Sequence, residues 1–332
     1  MVTAAGLDLL IGDPRWSLHP VVVMGRLIQA MRLWLQRLAG NHPWALRLSG
    51  GLISTILVLG SAASGWLVER LALTGSPLPE PLGKLLLVIA LASALAARSL
   101  KQGVEAVLKA LPLNQNNNDI ALEPARQKLS WIVGRDVSQL DSSGILRATA
   151  ETASENAVDG VFAPLFWMLI GTVLWQLSPD LPGPLALAWA FKASSTLDSM
   201  LGYRHGQLRW LGSAGARLDD ALTWIPCRMV LLTLPLVSQP WQRFPALVKA
   251  AYRDGSMDLS PNAGLSEAIF AHCANVQMGG VNRYSDTWLT KPTLAASAPV
   301  ADRQGIERLL KLGLHLELAW LAVIALVSGW VA

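Results

Sequence analysis

Long apolar segments recur along the sequence and limit what the chain can fold into. Segments 52–73, 82–100, 160–177 and 309–331 each approach the length that a helix needs to cross a bilayer, and 185–200 begins as a fifth. Charged residues make up 15% of the chain, whereas a soluble domain carries roughly 25%. We therefore expect an all-α, polytopic integral membrane protein of about five transmembrane helices, with re-entrant or broken segments and polar loops.

The polar segments between these runs predict the orientation of a single membrane domain that covers residues 1–332. Lysines and arginines are frequent in the amphipathic segment 12–49 and in the loop 101–158, which places both on the cytoplasmic side. Segment 221–237 contains two prolines and an arginine, so we expect it to be re-entrant or broken. The polar loop 241–308 would then be cytoplasmic as well.

An acidic face at the start of one apolar run is the strongest candidate site. Glu151, Glu155 and Asp159 follow each other at intervals of four, so a helix would align them on one side. Like charges at this spacing destabilise an isolated helix by about 0.3 kcal/mol per pair. A solvated helix face explains one such carboxylate, but three beside a hydrophobic segment favour a metal or substrate site.

Three further polar clusters adjoin apolar segments. Lys192 and Asp198 lie in a run rich in serine and threonine, where ionisable groups beside a span indicate function and snorkelling of the lysine is the alternative. Asp219 and Asp220 could bind magnesium or could cap a helix. The turn 254–264 contains Ser260, which we expect to be the N-cap of a helix that continues to about Ala274 and whose N-terminus could bind phosphate.

Several classes of protein are not supported by the sequence. It contains no phosphate-binding P-loop motif, no dinucleotide-binding glycine motif and no zinc-protease motif. Cys227 and Cys273 are far apart and form neither a zinc pattern nor a disulfide framework. No basic patch alternates with aromatic residues, so we expect no nucleic-acid partner.

Six ordered motifs resemble those of the CobD/CbiB family of adenosylcobinamide-phosphate synthases. They extend over nearly the whole chain, from about Leu7 to Pro292. Ser195 stands where the family pattern suggests asparagine, and the first span is shorter than is usual in the family. The motifs are GDPRWSLHPVVVMGRLI, ETASENAVDGVFAPLFW, KASSTLDSMLGY, ARLDDALTWIPCR, DGSMDLSPNAGLSEAIFAHC and VQMGGVNRYSD.

The resemblance implies an amide-forming ligase of cobalamin biosynthesis in the bacterial inner membrane. Such an enzyme joins adenosylcobyric acid to (R)-1-amino-2-propanol O-phosphate, or to free aminopropanol, at the expense of ATP and with Mg²⁺. The resemblance also implies that the chain crosses the membrane several times and that its active-site loops lie in the cytoplasm. The lipid bilayer and other late cobalamin-biosynthesis membrane enzymes are the expected partners, and the corrinoid is a substrate rather than a cofactor.

Candidate residues for this reaction come from the motifs and the polar clusters. Carboxylates suit Mg²⁺ and proton transfer, and cations suit anionic substrates. The candidate catalytic residues are Glu151, Glu155, Asp159, Lys192 and Asp198. The candidate metal ligands are Glu155, Asp159, Asp198, Asp219 and Asp220. The candidate substrate- or phosphate-binding residues are Arg15, His19, Asn156, Tyr203, Arg217, Arg228, Ser260, Asn262 and Glu267.

Three other functions remain open from the sequence. A magnesium-dependent CDP-alcohol phosphotransferase would require a DGxxAR-type series, but Asp159-Gly160 is followed by Val-Phe-Ala-Pro. A non-catalytic corrinoid-binding or transport protein would be expected to contain repeats with broken helices in matching positions. A sensor derived from the same superfamily would be expected to have lost acidic motifs that are intact here. Formation of a product that depends on ATP separates an enzyme from the binding proteins.

Overall fold

The computed structural model describes residues 1–12, 18–73, 78–112, 119–238, 240–284 and 287–331. These residues form fourteen α-helices, short π and 3₁₀ turns and one two-stranded sheet. The chain divides into two compact units, each built from two segments. Unit 1 comprises Met1–Ala96 and Ala163–Thr223, and unit 2 comprises Ala97–Phe162 and Trp224–Ala332.

Unit 1 is entirely helical within the described residues. Two of its helices, α3 (Pro43–Leu73) and α9 (Pro184–Leu201), pack closely. Gly65 allows this approach, since a Cβ added there would lie 2.7 Å from the Cα of Ala186. The last helix of the unit continues into unit 2. The bounds are α1 Val2–Ile11, α2 Pro20–Ala39, α3 Pro43–Leu73, α4 Glu80–Ala92, α8 Ala163–Leu177, α9 Pro184–Leu201, α10 Leu208–Leu211 and α11 Ser213–Ser238.

A buried carboxylate of α3 caps the N-terminus of α9. Glu69 is 1% exposed, and its two oxygens accept backbone N–H bonds from Gly183 at 3.0 Å, Leu185 at 2.6 Å and Ala186 at 3.2 Å. The first N–H groups of a helix have no partner within the helix, and a negative charge there also interacts favourably with the positive end of the helix dipole. This contact holds α3 and α9 together at one end.

Unit 2 combines helices with a β-hairpin. The hairpin pairs its two strands antiparallel, with Met278 opposite Leu294 and Gly280 opposite Lys291. The register shifts between Met278 and Gly280, where Gly279 has φ of +83° and would place a Cβ 1.9 Å from the carbonyl oxygen of Pro292. The further bounds are α5 Ala97–Ala110, α6 Asp119–Ser130, α7 Ser142–Ala157, α12 Phe244–Gly255, α13 Ala263–Ala274, α14 Arg303–Val331, β1 Met278–Tyr284 and β2 Thr287–Leu294.

The expected all-α polytopic architecture is confirmed, and the hairpin is an addition to it. Among the described residues, four helical segments are long and apolar enough to cross a membrane, or five if the bent pair α4–α5 forms one span. Residues 93–96 break the helix between α4 and α5, so the expected span 82–100 is not one continuous helix. The other candidate spans are Pro43–Ala72, Ser142–Leu177, Ser213–Ser238 and Arg303–Leu326.

The acidic segment belongs to a long helix rather than to a polar loop. α7 begins after Asp141, whose side chain accepts the N–H of Gly144 at 2.7 Å. A π turn at Val158–Phe162 joins α7 to α8, so that one helical segment runs from Ser142 to Leu177. The helix that contains the apolar run therefore begins well before residue 160, where that run starts.

The expectation of a re-entrant or broken segment at 221–237 is wrong, because α11 is one continuous helix of 26 residues. Pro226 has no N–H to donate to the carbonyl of Leu222, four residues earlier. The indole Nε1 of Trp167 donates to that carbonyl at 3.1 Å instead. The helix thus tolerates the proline because a side chain supplies the missing donor.

Candidate functional site

Glu151 on α7 lies at the centre of a buried group of charges in unit 2. Its carboxylate is 2.6 Å from the guanidinium of Arg135 and 3.8 Å from Nε of Arg147. It also accepts the backbone N–H of Gly279 at 2.9 Å. Arg147 in turn donates to the carbonyl of Val281 at 2.9 Å. Two arginines therefore compensate the charge of this carboxylate, and the backbone amide of Gly279 attaches β1 to α7.

A second buried pairing lies beside the first. The ammonium of Lys291 on β2 is 2.9 Å from Oε1 of Glu267 on α13 and 3.5 Å from Oδ2 of Asp258. Glu155, one turn after Glu151, interacts electrostatically with Lys291, Asp258 and Glu151. We call Glu151, Glu155, Asp258 and Glu267 the carboxylate cluster. Two motifs about a hundred residues apart in sequence supply its four members.

Burial and neighbouring charges change the pKa values of Glu267 and Lys291. Desolvation raises the pKa of Glu267 to about 8, although the nearby Lys291 opposes the shift. Burial alone would lower the pKa of Lys291, but Glu267, Glu155 and Asp258 outweigh it and raise that pKa. A carboxyl group that is protonated near neutral pH beside a charged ammonium can exchange a proton with a substrate.

The remaining candidates on α7 and the π turn lie close to the cluster in sequence. Asn156 donates from Nδ2 to Oγ1 of Thr152 at 3.1 Å. Asp159 is part of the π turn, a feature often found at functional sites, and interacts with the Cys227 thiol. The expected helical row of carboxylates is therefore interrupted at its third member.

Arg228, Asn262 and Ser260 form a group at the start of α13. Arg228 donates from Nη1 to Oδ1 of Asn262 at 2.7 Å and from Nη2 to the carbonyl of Pro261 at 3.0 Å. Helix α13 begins at Ala263, so the expected N-cap role of Ser260 is wrong by two residues. The Ser260 hydroxyl still accepts the N–H groups of Asn262 at 3.3 Å and Ala263 at 3.2 Å, and the helix ends at Ala274 as expected.

Other candidates belong to unit 1 and have local surroundings there. A Cβ at Gly202 would lie 2.1 Å from Oδ1 of Asp198, so this carboxylate folds over the end of α9. The rings of Tyr203 and His205 are 5.6 Å apart. Lys192 and Asp198 are partly exposed on α9, Arg217, Asp219 and Asp220 lie on α11, and His19 immediately precedes α2.

The structure brings together only part of the predicted site. Glu151, Glu155 and Glu267 converge in unit 2, whereas Arg15 lies outside the described residues. Sequence reasoning missed Arg135, Asp258 and Lys291 as site residues. Asp258 lies in the turn 254–264, which is one of the polar clusters of the sequence. Lys291 belongs to none of the six motifs, and only the hairpin brings it to α13.

Among the residues that the structure describes, no three His, Cys, Asp or Glu side chains are arranged to hold a metal ion. The carboxylates thus do not form a closed metal cage of protein ligands. Magnesium bound to nucleotide phosphates commonly uses only one or two carboxylates and completes its coordination with phosphate oxygens and water. The carboxylates of this site are suited to binding a nucleotide-bound magnesium ion in that way.

The CobD/Cbib family model matches residues 1–313. The chain belongs to this family. Family membership supports a role in cobalamin biosynthesis, and the apolar helices make the chain a membrane protein of that family. The resemblance drawn from the six motifs is therefore confirmed.

Curated relatives agree with the family model. A cobalamin biosynthesis protein CobD from Synechocystis is 40% identical over 88% of this chain and 80% of its own length. A protein of the same name from Pelobacter propionicus is 37% identical over 97% of this chain and 92% of its own length. The cobalamin biosynthesis protein CbiB of Salmonella typhimurium is 35% identical over 92% of this chain and 89% of its own length. No solved structure matches the chain.

Proposed function

We propose that the protein is an amide ligase that joins a carboxyl group of adenosylcobyric acid to (R)-1-amino-2-propanol O-phosphate, or to aminopropanol, with ATP and Mg²⁺. The family supports cobalamin biosynthesis as the process. The observation that carries the chemistry is the convergence of Glu155, Asp258, Glu267 and Lys291 in one buried site. Such a site can hold and deprotonate a polar substrate group away from bulk water.

The reaction requires an activated acyl group, because a free carboxylate is a poor acyl donor. In the proposed sequence the corrinoid carboxylate attacks the γ-phosphorus of ATP, which gives an acyl phosphate and ADP. The amine, after losing one proton, then attacks the acyl carbon, and inorganic phosphate leaves as the amide forms. Bound Mg²⁺ would neutralise phosphate charge during the transfer.

The proposed roles follow from chemical type. Within unit 2, Asp159 would contribute a carboxylate oxygen to the nucleotide-bound ion, Glu155 would act as a catalytic carboxylate on the substrate amine, and Arg228 would contact a phosphate. Within unit 1, Asp198, Asp219 and Asp220 are the corresponding metal candidates. The catalytic and binding roles proposed for Lys192, His19, Tyr203 and Arg217 rest on the motif resemblance.

We also propose an inner-membrane location with the carboxylate cluster facing the cytoplasm, because ATP and the corrinoid are cytoplasmic. Assembly with other late cobalamin-biosynthesis enzymes at the membrane would channel a scarce intermediate. Cysteine labelling in sealed vesicles would test the orientation. A Glu123→Cys variant, exposed on α6, should be protected from an impermeant reagent in right-side-out vesicles.

The deciding experiment uses the purified protein in detergent with adenosylcobyric acid, ATP, Mg²⁺ and aminopropanol phosphate. Mass spectrometry should detect a corrinoid that has gained one condensed aminopropanol phosphate, and omission of ATP or Mg²⁺ should abolish it. Glu155→Gln and Asp198→Asn should lower the rate at least a hundredfold, whereas the exposed Glu307→Gln should not. Corrinoid binding without conversion would instead indicate a non-catalytic binding or transport protein.

A further inference from the structure

The charges around Lys291 are unbalanced. Arg135 and Arg147 both contact Glu151, so that carboxylate has its own cations. Glu155, Asp258 and Glu267 remain. Arg135 also acts on Glu155, but Lys291 is the cation that all three share. Buried ionised groups are stable only when their charge is compensated, so this arrangement favours one more positive charge or a bound proton.

One oxygen of Glu267 has no hydrogen-bond partner. Glu267 is 1% exposed, and while its Oε1 accepts from Lys291, its Oε2 is buried and unsatisfied. This carboxylate interacts electrostatically with Lys291, Glu151 and Glu155, so it lies within the cluster. An unsatisfied buried acceptor is unfavourable, and a ligand that donates to it would remove that cost.

Lys291 indicates which kind of donor the site accepts. Its side chain ends in a primary ammonium. The amine of an amino alcohol is also a primary ammonium before it loses the proton that makes it a nucleophile. Two carboxylates contact that ammonium, Glu267 at 2.9 Å and Asp258 at 3.5 Å, and Glu155 interacts with it electrostatically. A second primary ammonium would meet the same acceptors and would supply the positive charge in place of the proton that Glu267 otherwise holds.

We propose that Glu155, Asp258 and Glu267, beside Lys291, form the binding site for the ammonium group of the amino-alcohol substrate, with Oε2 of Glu267 as its hydrogen-bond acceptor. This inference rests on the proposed ligase function and assigns one substrate group to one place in it. Lys291 is then a positioning residue that holds Glu267 in place through Oε1. The phosphate of the substrate is bound elsewhere, because the cluster is acidic.

The test compares ligands that differ only in the amine. Calorimetric titration of the detergent-solubilised protein would use (R)-1-amino-2-propanol O-phosphate and isopropyl phosphate, which lacks the amine. The wild-type protein should bind the amine-containing ligand at least tenfold more tightly. Equal affinity of the two ligands would overturn the inference without any variant.

Variants then locate the selectivity. Glu267→Gln keeps the shape of the side chain but cannot ionise, and it should reduce the preference for the amine-containing ligand to about twofold or less. Asp258→Asn is the second variant, in case the first does not fold as judged by its melting temperature. Glu307→Gln is the matched control, because Glu307 is exposed on α14.

Kinetics separate an ammonium site from a metal site. Glu267→Gln should raise KM for aminopropanol phosphate at least tenfold and leave KM for ATP and the Mg²⁺ requirement within twofold. A shift in the Mg²⁺ requirement instead would assign the cluster to the metal and overturn the inference. Amine-selective binding without product would refute the ligase function alone, and product without amine selectivity would refute this inference alone.

Discussion

Glu151 accepts a hydrogen bond from the backbone N–H of Gly279 at 2.9 Å, although 128 residues separate them in the chain. The same carboxylate pairs with Arg135 at 2.6 Å. One side chain of α7 therefore connects two other parts of unit 2, the turn after α6 and the first strand of the hairpin. Because β2 carries Lys291, the position of the hairpin also determines where the ammonium of Lys291 lies.

Glu151→Gln should destabilise the protein and lower its activity. The Arg135 side chain is 7% exposed, so loss of the carboxylate charge leaves a buried guanidinium without its closest anion. Breaking a buried ion pair on one side costs about 3 kcal/mol. A clear drop in melting temperature in detergent is expected. Glu307→Gln, at an exposed position on α14, should melt like the wild type, and equal melting of both variants would contradict the pairing.

Gly279→Ala should disturb the hairpin. Gly279 has φ of +83°, and an added Cβ would lie 1.9 Å from the Pro292 carbonyl oxygen. Backbone strain of this kind costs about 2 kcal/mol, and the N–H that Glu151 accepts would shift. Thermal melting should fall, and amide exchange of the hairpin should accelerate. Gly60→Ala is the control, because nothing lies within 4 Å of a Cβ there.

The sequence predicts the all-α membrane architecture and the acidic face because both depend on local periodicity. Glu151 and Glu155 are four residues apart, and the helix places them as that spacing requires. The extent of the helix was not predictable in the same way, since Ser142–Ala157 reads as polar. Its polar side is buried against protein, where Glu151 pairs with Arg135 and accepts the N–H of Gly279.

The contribution of Lys291 could not be predicted from the sequence. It pairs with Glu267 through the fold of the hairpin, and no local pattern marks a lysine on β2 as a partner of α13. The hairpin itself was missed because its first strand contains Gly279 and Gly280, which are poor strand formers. Positive φ at both glycines allows the strand to bend.

Stability should depend on pH through Glu267. Burial raises its pKa from the ordinary 4.5 to about 8, so the folded protein binds more protons than the unfolded chain between these values. The free energy of unfolding contributed by this group therefore falls as pH rises from about 4.5 to about 8 and is constant above that window.

Melting temperatures across this pH range should show the effect as a difference between variants. The advantage of the wild type over Glu267→Gln should shrink as pH rises, because the variant cannot ionise at this position. The exposed Glu307→Gln should follow the wild type at every pH. A wild-type advantage that grows with pH would mean that Glu267 is stabilised as the anion by Lys291 and would reverse the assigned direction.

The continuity of α11 should depend on Trp167. Its indole Nε1 donates to the carbonyl of Leu222 at 3.1 Å, the acceptor that Pro226 leaves without a helical donor. Trp167→Phe removes this donor and should cost about 1 kcal/mol beyond the smaller ring. Pro226→Ala restores an N–H at the position where the helix requires one.

A double-mutant cycle isolates this hydrogen bond. In the Pro226→Ala background the backbone N–H of residue 226 satisfies Leu222, so Trp167→Phe should cost less than it does in the wild type. The difference in unfolding free energy should be about 1 kcal/mol. Additive effects would show that Trp167 acts only by packing, and the helix would then need another reason to tolerate Pro226. Trp175→Phe is the control, because Trp175 donates to Leu181 in the turn after α8 and does not contact α11 through this bond.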